Sequence, residues 1–213
     1  MRKLAIATTA LLLVFPAIAH EGHSAAADVS LNGADTATYE LEKTHAFLTW
    51  TVRHNGISSY SVNFTDFDAT LDFDADNPEA STIEFTINPA ALQTNHPNPD
   101  KKTEWEDELS NDKKFFNAAE FPTITFKSTA AALDGEHDGT VTGDLTFLGV
   151  TKPVAIKVTY NGVTNVPWFG QRDVIGFNAT ATFKRSDWGM TSMKRVISDE
   201  VVIDFSGEFL QAE

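Results

Sequence analysis

The chain has 213 residues, no cysteine and a formal net charge of −14 at pH 7. Its length fits one domain with a sizeable core behind an N-terminal targeting segment, and the lack of cysteine excludes disulfides, thiolate metal sites and thiol catalysis. The excess of acidic residues repels nucleic acid, so no nucleic acid partner is expected.

The start of the chain has the pattern of a secretion signal. Arg2 and Lys3 precede the apolar run Leu4–Phe15, and Ala17-Ile18-Ala19 provides a small-residue cleavage site, with Ala25–Ala27 as an alternative. The apolar run is shorter than a membrane-spanning helix requires. We therefore expect the segment to be removed on export and the mature protein to act in the periplasm.

Three regions follow from this pattern: a signal peptide over residues 1–19, a flexible leader over residues 20–37 and one folded domain over residues 38–213. The leader is small and polar, a composition typical of disorder. It carries His20 and His23, which at a free amino terminus could chelate Cu(II) or Ni(II). We interpret such affinity as incidental and predict no functional metal site.

The folded region contains eight segments in which apolar and polar residues alternate, the pattern of half-buried strands. They are Leu48–His54, Tyr60–Phe73, Ile83–Ile87, Ile124–Ser128, Val141–Phe147, Val154–Tyr160, Ile175–Phe183 and Val201–Phe209. In the second segment the alternation slips by one residue at Thr65-Asp66. A β-bulge there would keep both apolar sets inside and bend a long strand.

Three connections between the predicted strands also have recognisable sequence features. Asn55-Gly56 predicts a tight turn after the first strand, and Gly149-Val150-Thr151 predicts another between two later strands. The long excursion Pro89–Asn117 breaks the alternation. Within it, Asn98 is suited to cap a short helix with Pro99 in its first turn.

The strand order contains no βαβ spacing, so an antiparallel all-β fold is predicted. We favour an eight-stranded antiparallel β-barrel, lipocalin-like, with the helical excursion between strands. We favour a barrel over a two-sheet sandwich because of the strand count, the bend and the small in-facing residues Gly143, Ala179 and Ala181. Small residues are also compatible with a sandwich, where they would let the two sheets approach each other.

Several segments resemble the YceI family of exported, lipocalin-like proteins that bind polyisoprenoids. The resemblance spans about Tyr39–Phe209 and departs from the family pattern at Trp105-Glu106 and at Leu148. The matching segments are Thr44-His45, Val52–Gly56, Phe115–Asn117, Phe121–Ser128, Gly143–Val154, Arg185–Met190 and Asp199–Val201.

The resemblance implies a barrel whose interior holds an isoprenoid tail, with the polar head near the mouth. We predict that the interior is lined by Trp50, Val52, Phe64, Phe67, Phe85, Ile87, Phe126, Leu145, Phe147, Ile156, Phe177 and Phe205. His54 and Arg185 are the candidates for contact with the head group. The alternatives are a solidly packed interior, a structural role for His54 and an ion pair between Arg185 and Asp187, while His45 is interpreted as structural.

No catalytic motif is present, so the chain is not predicted to be an enzyme and needs no cofactor beyond a bound isoprenoid lipid. The predicted function is a periplasmic protein that sequesters or transports a polyisoprenoid or isoprenoid quinone. Transient contact with a membrane donor or acceptor and a homodimer are expected partnerships. The alternative function is a redox or stress accessory or enzyme acting on a quinone head group for a membrane cytochrome.

Overall fold

The computed structural model describes residues 33–213, and within them it contains ten strands and one α-helix. The helix, α1, spans Pro99–Asn111. The strands are β1 Ala37–His54, β2 Ser58–Phe64, β3 Phe67–Phe73, β4 Thr82–Ile87, β5 Leu92–Gln93, β6 Ile124–Leu133, β7 Asp138–Phe147, β8 Val150–Asn165, β9 Asp173–Lys184 and β10 Ile197–Gln211.

The strands form a closed antiparallel barrel because β1 pairs on both of its edges. One edge pairs with β10, with Leu48 opposite Phe205. The other edge pairs with β3 near the start of β1 and with β2 near its end. Since β2 and β3 together form one bent barrel strand, and β5 only adds two residues beside β2, the barrel has eight strands. The predicted fold is confirmed.

The bend between β2 and β3 lies where the alternation of the sequence slips. Phe64 and Phe67 are both buried, at 4% and 8% exposure, so both apolar sets face the interior as predicted. The backbone N–H of Thr65 donates to the carbonyl of Ala91 at 2.8 Å. The excursion after β4 therefore supplies the backbone partner that the interrupted ladder lacks.

The turns follow from residues that tolerate a left-handed backbone. Asn55 and Gly56 have φ of 51° and 72°, as the predicted turn requires. Between β7 and β8 the turn residues are Leu148 and Gly149, with φ of 47° and 72°, which suit a two-residue hairpin. The predicted Gly149-Val150-Thr151 connection is wrong in register, because Val150 already begins β8.

The connections divide into two groups at opposite ends of the barrel. One end, which we call the hairpin end, has the connections 74–81, 134–137 and 166–172. The other, which we call the helix end because it includes α1, has the connections 55–57, 88–123, 148–149 and 185–196. Helix α1 confirms the predicted excursion: the Asn98 side chain accepts from the N–H of Lys101, and Pro99 opens the helix. The excursion is closed by Phe115 and Phe116, which are both buried.

The start of the domain differs from the prediction. Ala34 is 7% exposed, and the N–H of Asp35 donates to the carboxylate of Asp173 at 2.8 Å. The predicted flexible leader over residues 20–37 therefore extends too far, since its last residues pack against the barrel. The predicted signal peptide, with His20 and His23, lies outside the described residues. Between residues 33 and 213, no helix has the length and apolarity to cross a membrane.

Candidate functional site

Two cavities lie within the barrel, one toward each end. The hairpin cavity has a volume of about 150 Å³ and is bounded by the β3–β4 and β6–β7 connections. The helix cavity has a volume of about 470 Å³ and is bounded by α1 and the segment before β10. The larger volume lies in the range of small-molecule sites. The two cavities share no lining residue.

The wall of the hairpin cavity is mainly aromatic and aliphatic. Phe205 packs against Phe85 with ring centroids 5.3 Å apart, and Ala179 leaves room beside them on β9. The cavity is lined by five of the twelve predicted interior residues, namely Phe85, Phe126, Ile156, Phe177 and Phe205. These residues form an apolar surface that suits a hydrocarbon ligand.

The lining also includes polar side chains, among them Tyr160 and His137. Tyr160 is 3% exposed, and burial, reinforced by the charge of Asp173, raises the pKa of its hydroxyl to about 12. The hydroxyl is therefore protonated at neutral pH and can donate. Neither Tyr160 Oη nor His137 Nδ1 has a hydrogen-bond partner among residues 33–213. Both residues line the cavity.

The helix cavity brings together residues from distant parts of the chain. Trp50 and Val52, both in the predicted interior set, lie on its wall together with His54 and Arg185. The structure thus places both predicted head-group residues at the same cavity. Further apolar surface comes from the excursion and the segment before β10, through Trp105, Leu109, Phe115, Met190 and Met193.

Arg185 is fully buried, and its hydrogen bonds are made with the backbone. Its guanidinium donates to the carbonyls of Ser198 at 2.8 Å and Met190 at 2.9 Å, with a longer contact to Ile197. Burial lowers the pKa of Arg185, and the charge of Asp199 opposes this effect. These contacts hold the segment before β10 against the barrel.

The predicted ion pair between Arg185 and Asp187 is wrong. Asp187 is exposed, and within residues 33–213 no salt bridge joins it to Arg185. The nearby carboxylate is instead that of Asp199, which accepts from the Ser186 hydroxyl at 2.7 Å. Sequence proximity suggested the wrong partner, because the 3₁₀ turn Arg185–Trp188 directs Asp187 to solvent.

His54 ends β1 at the rim of the helix cavity, as the sequence predicts. Its Nδ1 lies 3.2 Å from the Asn55 side-chain amide, and its ring lies 6.5 Å from that of Tyr60. The side chain is partly exposed. Contact with a ligand head group remains a prediction for this residue.

A layer of side chains separates the two cavities. Along the bent β2–β3 strand, Tyr60 and Val62 line the helix cavity and Leu71 lines the hairpin cavity, while the buried Phe64 and Phe67 lie between them. We call Phe64 and Phe67 the dividing layer. Five predicted interior residues border neither cavity, namely Phe64, Phe67, Ile87, Leu145 and Phe147.

The aromatic packing near the helix end explains part of this division. Trp50 packs edge-to-face against Phe116 at 5.1 Å and Phe147 at 5.5 Å, and Phe116 also contacts Phe64 at 5.4 Å. Phe116 belongs to the excursion, so a residue from outside the barrel strands fills interior space. The interior that the sequence predicts as one ligand-binding space is therefore divided into two cavities in this structure.

Some cavity residues were missed by sequence reasoning. Tyr160 is in phase with the interior set, but no sequence signal shows that its hydroxyl lacks a partner. His137 lies in the β6–β7 connection, where no periodicity marks it, and only the strand pairing brings it beside Tyr160. Met190 and Met193 lie in a segment without periodicity, so only the tertiary structure places them on the helix cavity.

One cluster on the outside of the barrel has the chemistry of a cation site. Glu42, His45 and Glu208 each offer a ligand atom within 4.8 Å of the others. His45 Nδ1 lies 2.5 Å from a Glu42 oxygen and 3.9 Å from a Glu208 oxygen. Thr44 also donates to Glu42, at 2.7 Å. The polar groups of the cluster are therefore paired with one another. Their contacts stabilise an irregular part of the β1–β10 pairing.

Comparison with known proteins identifies the family of this barrel. Residues 39–209 match the YceI-like domain. A UPF0312 protein of Pseudomonas savastanoi pv. phaseolicola is 41% identical over 164 residues, covering 76% of this chain and 81% of the relative. The chain belongs to the YceI-like family, and the predicted resemblance is confirmed.

Solved structures share the same fold. BcnA of Burkholderia cenocepacia superposes with a TM-score of 0.66 at 22% identity, over 81% of this chain and 99% of BcnA. A polyisoprenoid binding domain from Saccharophagus degradans, implicated in plant cell wall breakdown, superposes with a TM-score of 0.58 at 16% identity, over 84% of this chain and all of that domain. At these identities the similarity establishes the architecture.

Proposed function

We propose that this chain is an exported carrier that holds one polyisoprenoid or isoprenoid quinone inside its barrel. The observation that carries the proposal is that the interior contains apolar cavities rather than a solid core. Membership of the YceI-like family and the polyisoprenoid binding domain with the same fold support a lipid of this class.

The binding energy in this proposal comes from desolvation of the hydrocarbon tail. Each buried methylene contributes about 0.8 kcal/mol, so a few isoprene units outweigh the loss of translational freedom and the ordering of the tail. No covalent chemistry is required. The protein acts by shielding the tail from water, which suits a carrier and not an enzyme.

Exchange with a membrane donor or acceptor is part of the proposal. Exposed apolar side chains stand on the rims of both cavities: Leu133 is 48% exposed at the hairpin cavity, and Trp105 and Met193 are 40% and 46% exposed at the helix cavity. Such groups can lie against a bilayer surface while the lipid enters or leaves. The predicted signal peptide supports a location in the periplasm as part of this proposal.

The proposal is tested by filling the barrel from within. Ala179 lines the hairpin cavity, and its neighbour Thr180 faces the exterior. We expect Ala179→Leu to weaken binding of squalene, an isoprenoid hydrocarbon, at least fivefold in a titration followed by native mass spectrometry. The control Thr180→Leu should bind as the unmodified chain does. Failure of the unmodified chain to bind any isoprenoid would overturn the proposal.

A further inference from the structure

The hairpin cavity combines an apolar wall with two buried polar atoms. Tyr160 Oη and His137 Nδ1 both lack a partner within residues 33–213, and Tyr160 is 97% shielded from solvent. Buried polar atoms are almost always hydrogen-bonded in folded proteins, because an unpaired one loses its solvation without compensation. The two atoms therefore point to a polar group that the cavity is built to receive.

The β-sheet places these two side chains together. The N–H of Tyr160 donates to the carbonyl of His137 at 2.8 Å, so the residues lie side by side across the extended β7–β8 ladder. The Tyr160 ring stacks on Phe73 at 6.2 Å and contacts Phe177 at 5.4 Å. This packing fixes the direction of the hydroxyl, so the site is preorganised.

The charges around the cavity select against an anionic ligand. Its lining includes Glu79 and Asp138, and no lysine or arginine among the described residues lines it. Glu79 accepts from the N–H of Leu133, and Asp138 accepts from the Thr159 hydroxyl. A phosphate placed beside these carboxylates would be repelled without a cation to compensate it.

We propose that Tyr160 and His137 bind the uncharged oxygen of an isoprenoid head group, the hydroxyl of a prenyl alcohol or the carbonyl of a quinone. The inference rests on the proposed carrier function and names its head-group site. The tail then extends from the hairpin cavity toward the dividing layer. The head lies at the end of the barrel opposite to His54 and Arg185.

The test compares ligands that share a C20 tail and differ in their heads. Geranylgeraniol, the quinone menaquinone-4 and geranylgeranyl phosphate are titrated into the delipidated mature protein, with squalene as the ligand without a head. Tyr160→Phe removes only the Tyr160 hydroxyl. Tyr60→Phe is the matched control, because the Tyr60 hydroxyl is also buried without a partner among the described residues but Tyr60 lines the helix cavity.

We expect Tyr160→Phe to weaken binding of geranylgeraniol and menaquinone-4 by about three- to tenfold, the range of one neutral hydrogen bond, and to leave squalene binding unchanged. His137→Ala should weaken binding of the same two ligands, and Tyr60→Phe should weaken binding of neither. Geranylgeranyl phosphate should be the ligand that the unmodified chain binds least tightly.

Three outcomes would overturn the inference while leaving the carrier function intact. The first is equal binding by Tyr160→Phe and the unmodified chain. The second is loss of binding in Tyr60→Phe alone, which would place the head in the helix cavity. The third is a preference for the phosphate. In contrast, an unmodified chain that binds neither squalene nor geranylgeraniol would overturn the proposed function itself.

Discussion

At the scale of single residues, two buried tyrosines illustrate what a hydroxyl does in this barrel. Tyr39 Oη donates to the carbonyl of Asp35 at 2.9 Å and lies 3.4 Å from the Asp173 carboxylate. Tyr160 Oη has no such partner among the described residues. The two rings have similar burial, at 0% and 3% exposure. The hydroxyls therefore differ in hydrogen bonding and not in desolvation.

We expect Tyr39→Phe to lower the free energy of unfolding by about 0.5–1.5 kcal/mol, because it removes a hydrogen bond and leaves an acceptor unpaired. Tyr160→Phe should leave stability unchanged or raise it in the ligand-free protein. Urea denaturation of both variants measures the difference. A Tyr160→Phe variant less stable than Tyr39→Phe would show that the Tyr160 hydroxyl has a structural partner.

The protonation of His45, which lies where β1 pairs with β10, makes the stability of the protein depend on pH. The hydrogen bond with Glu42, and then the charge of Glu208, raise the pKa of His45. Partial burial opposes ionisation of Glu42, but hydrogen bonds from Thr44 and His45 lower its pKa. Since the folded pKa of His45 is raised, its contribution is complete below the unfolded value of about 6.5 and is lost as pH rises through the folded pKa.

An NMR titration of the His45 ring tests this linkage. Glu42→Gln should return the pKa of His45 toward its ordinary value. Glu208→Gln should lower it less, because that carboxylate lies 3.9 Å from the ring nitrogen and the Glu42 carboxylate lies 2.5 Å from it. Equal pKa values in the unmodified chain and in Glu42→Gln would contradict the assignment.

At the scale of elements, small residues in the barrel strands have two different uses. Ala179 lines the hairpin cavity, as expected of a residue that leaves interior space. Gly143 does not, because the Phe126 ring packs over it: a Cβ at this position would lie 2.5 Å from that ring and 2.4 Å from the carbonyl of Lys127. The absence of a side chain at Gly143 is therefore required for β6 and β7 to pair.

Gly143→Ala should lower the free energy of unfolding by about 1–3 kcal/mol, the typical effect of overpacking. Gly135→Ala is the matched control, since a Cβ there meets no atom within 4 Å, and it should leave stability within 0.5 kcal/mol. Thermal denaturation of both variants checks this. Comparable stability for the two variants would show that Phe126 can move aside.

The elements that could be predicted from sequence are those in which local chemistry and pattern agree. The slip at Thr65-Asp66 is visible in the sequence because apolar residues continue on both sides of it, and Asn98-Pro99 marks the start of α1. The sequence predicts the β7–β8 turn one residue too late, because Leu148 is not a typical residue at positive φ. Alternation identifies the inward side of each strand but not how far a side chain reaches.

At the scale of the whole molecule, that limit explains why alternation predicts one continuous interior where the structure has two cavities. The twelve predicted interior residues do face inward or pack in the core. The dividing layer depends on contacts between strands distant in sequence and on Phe116, which enters from the excursion. The hydrogen bonds of Arg185 are likewise tertiary, since its acceptors lie beyond the turn that carries it.

The central claim, that this barrel carries an isoprenoid lipid, is tested most directly by analysing the protein after export in its host. The mature chain is purified without detergent, weighed by native mass spectrometry, and extracted so that any bound lipid is identified. We predict one defined isoprenoid per chain with an uncharged oxygen at its head. A chain recovered without lipid that also takes up neither squalene nor geranylgeraniol would contradict the account.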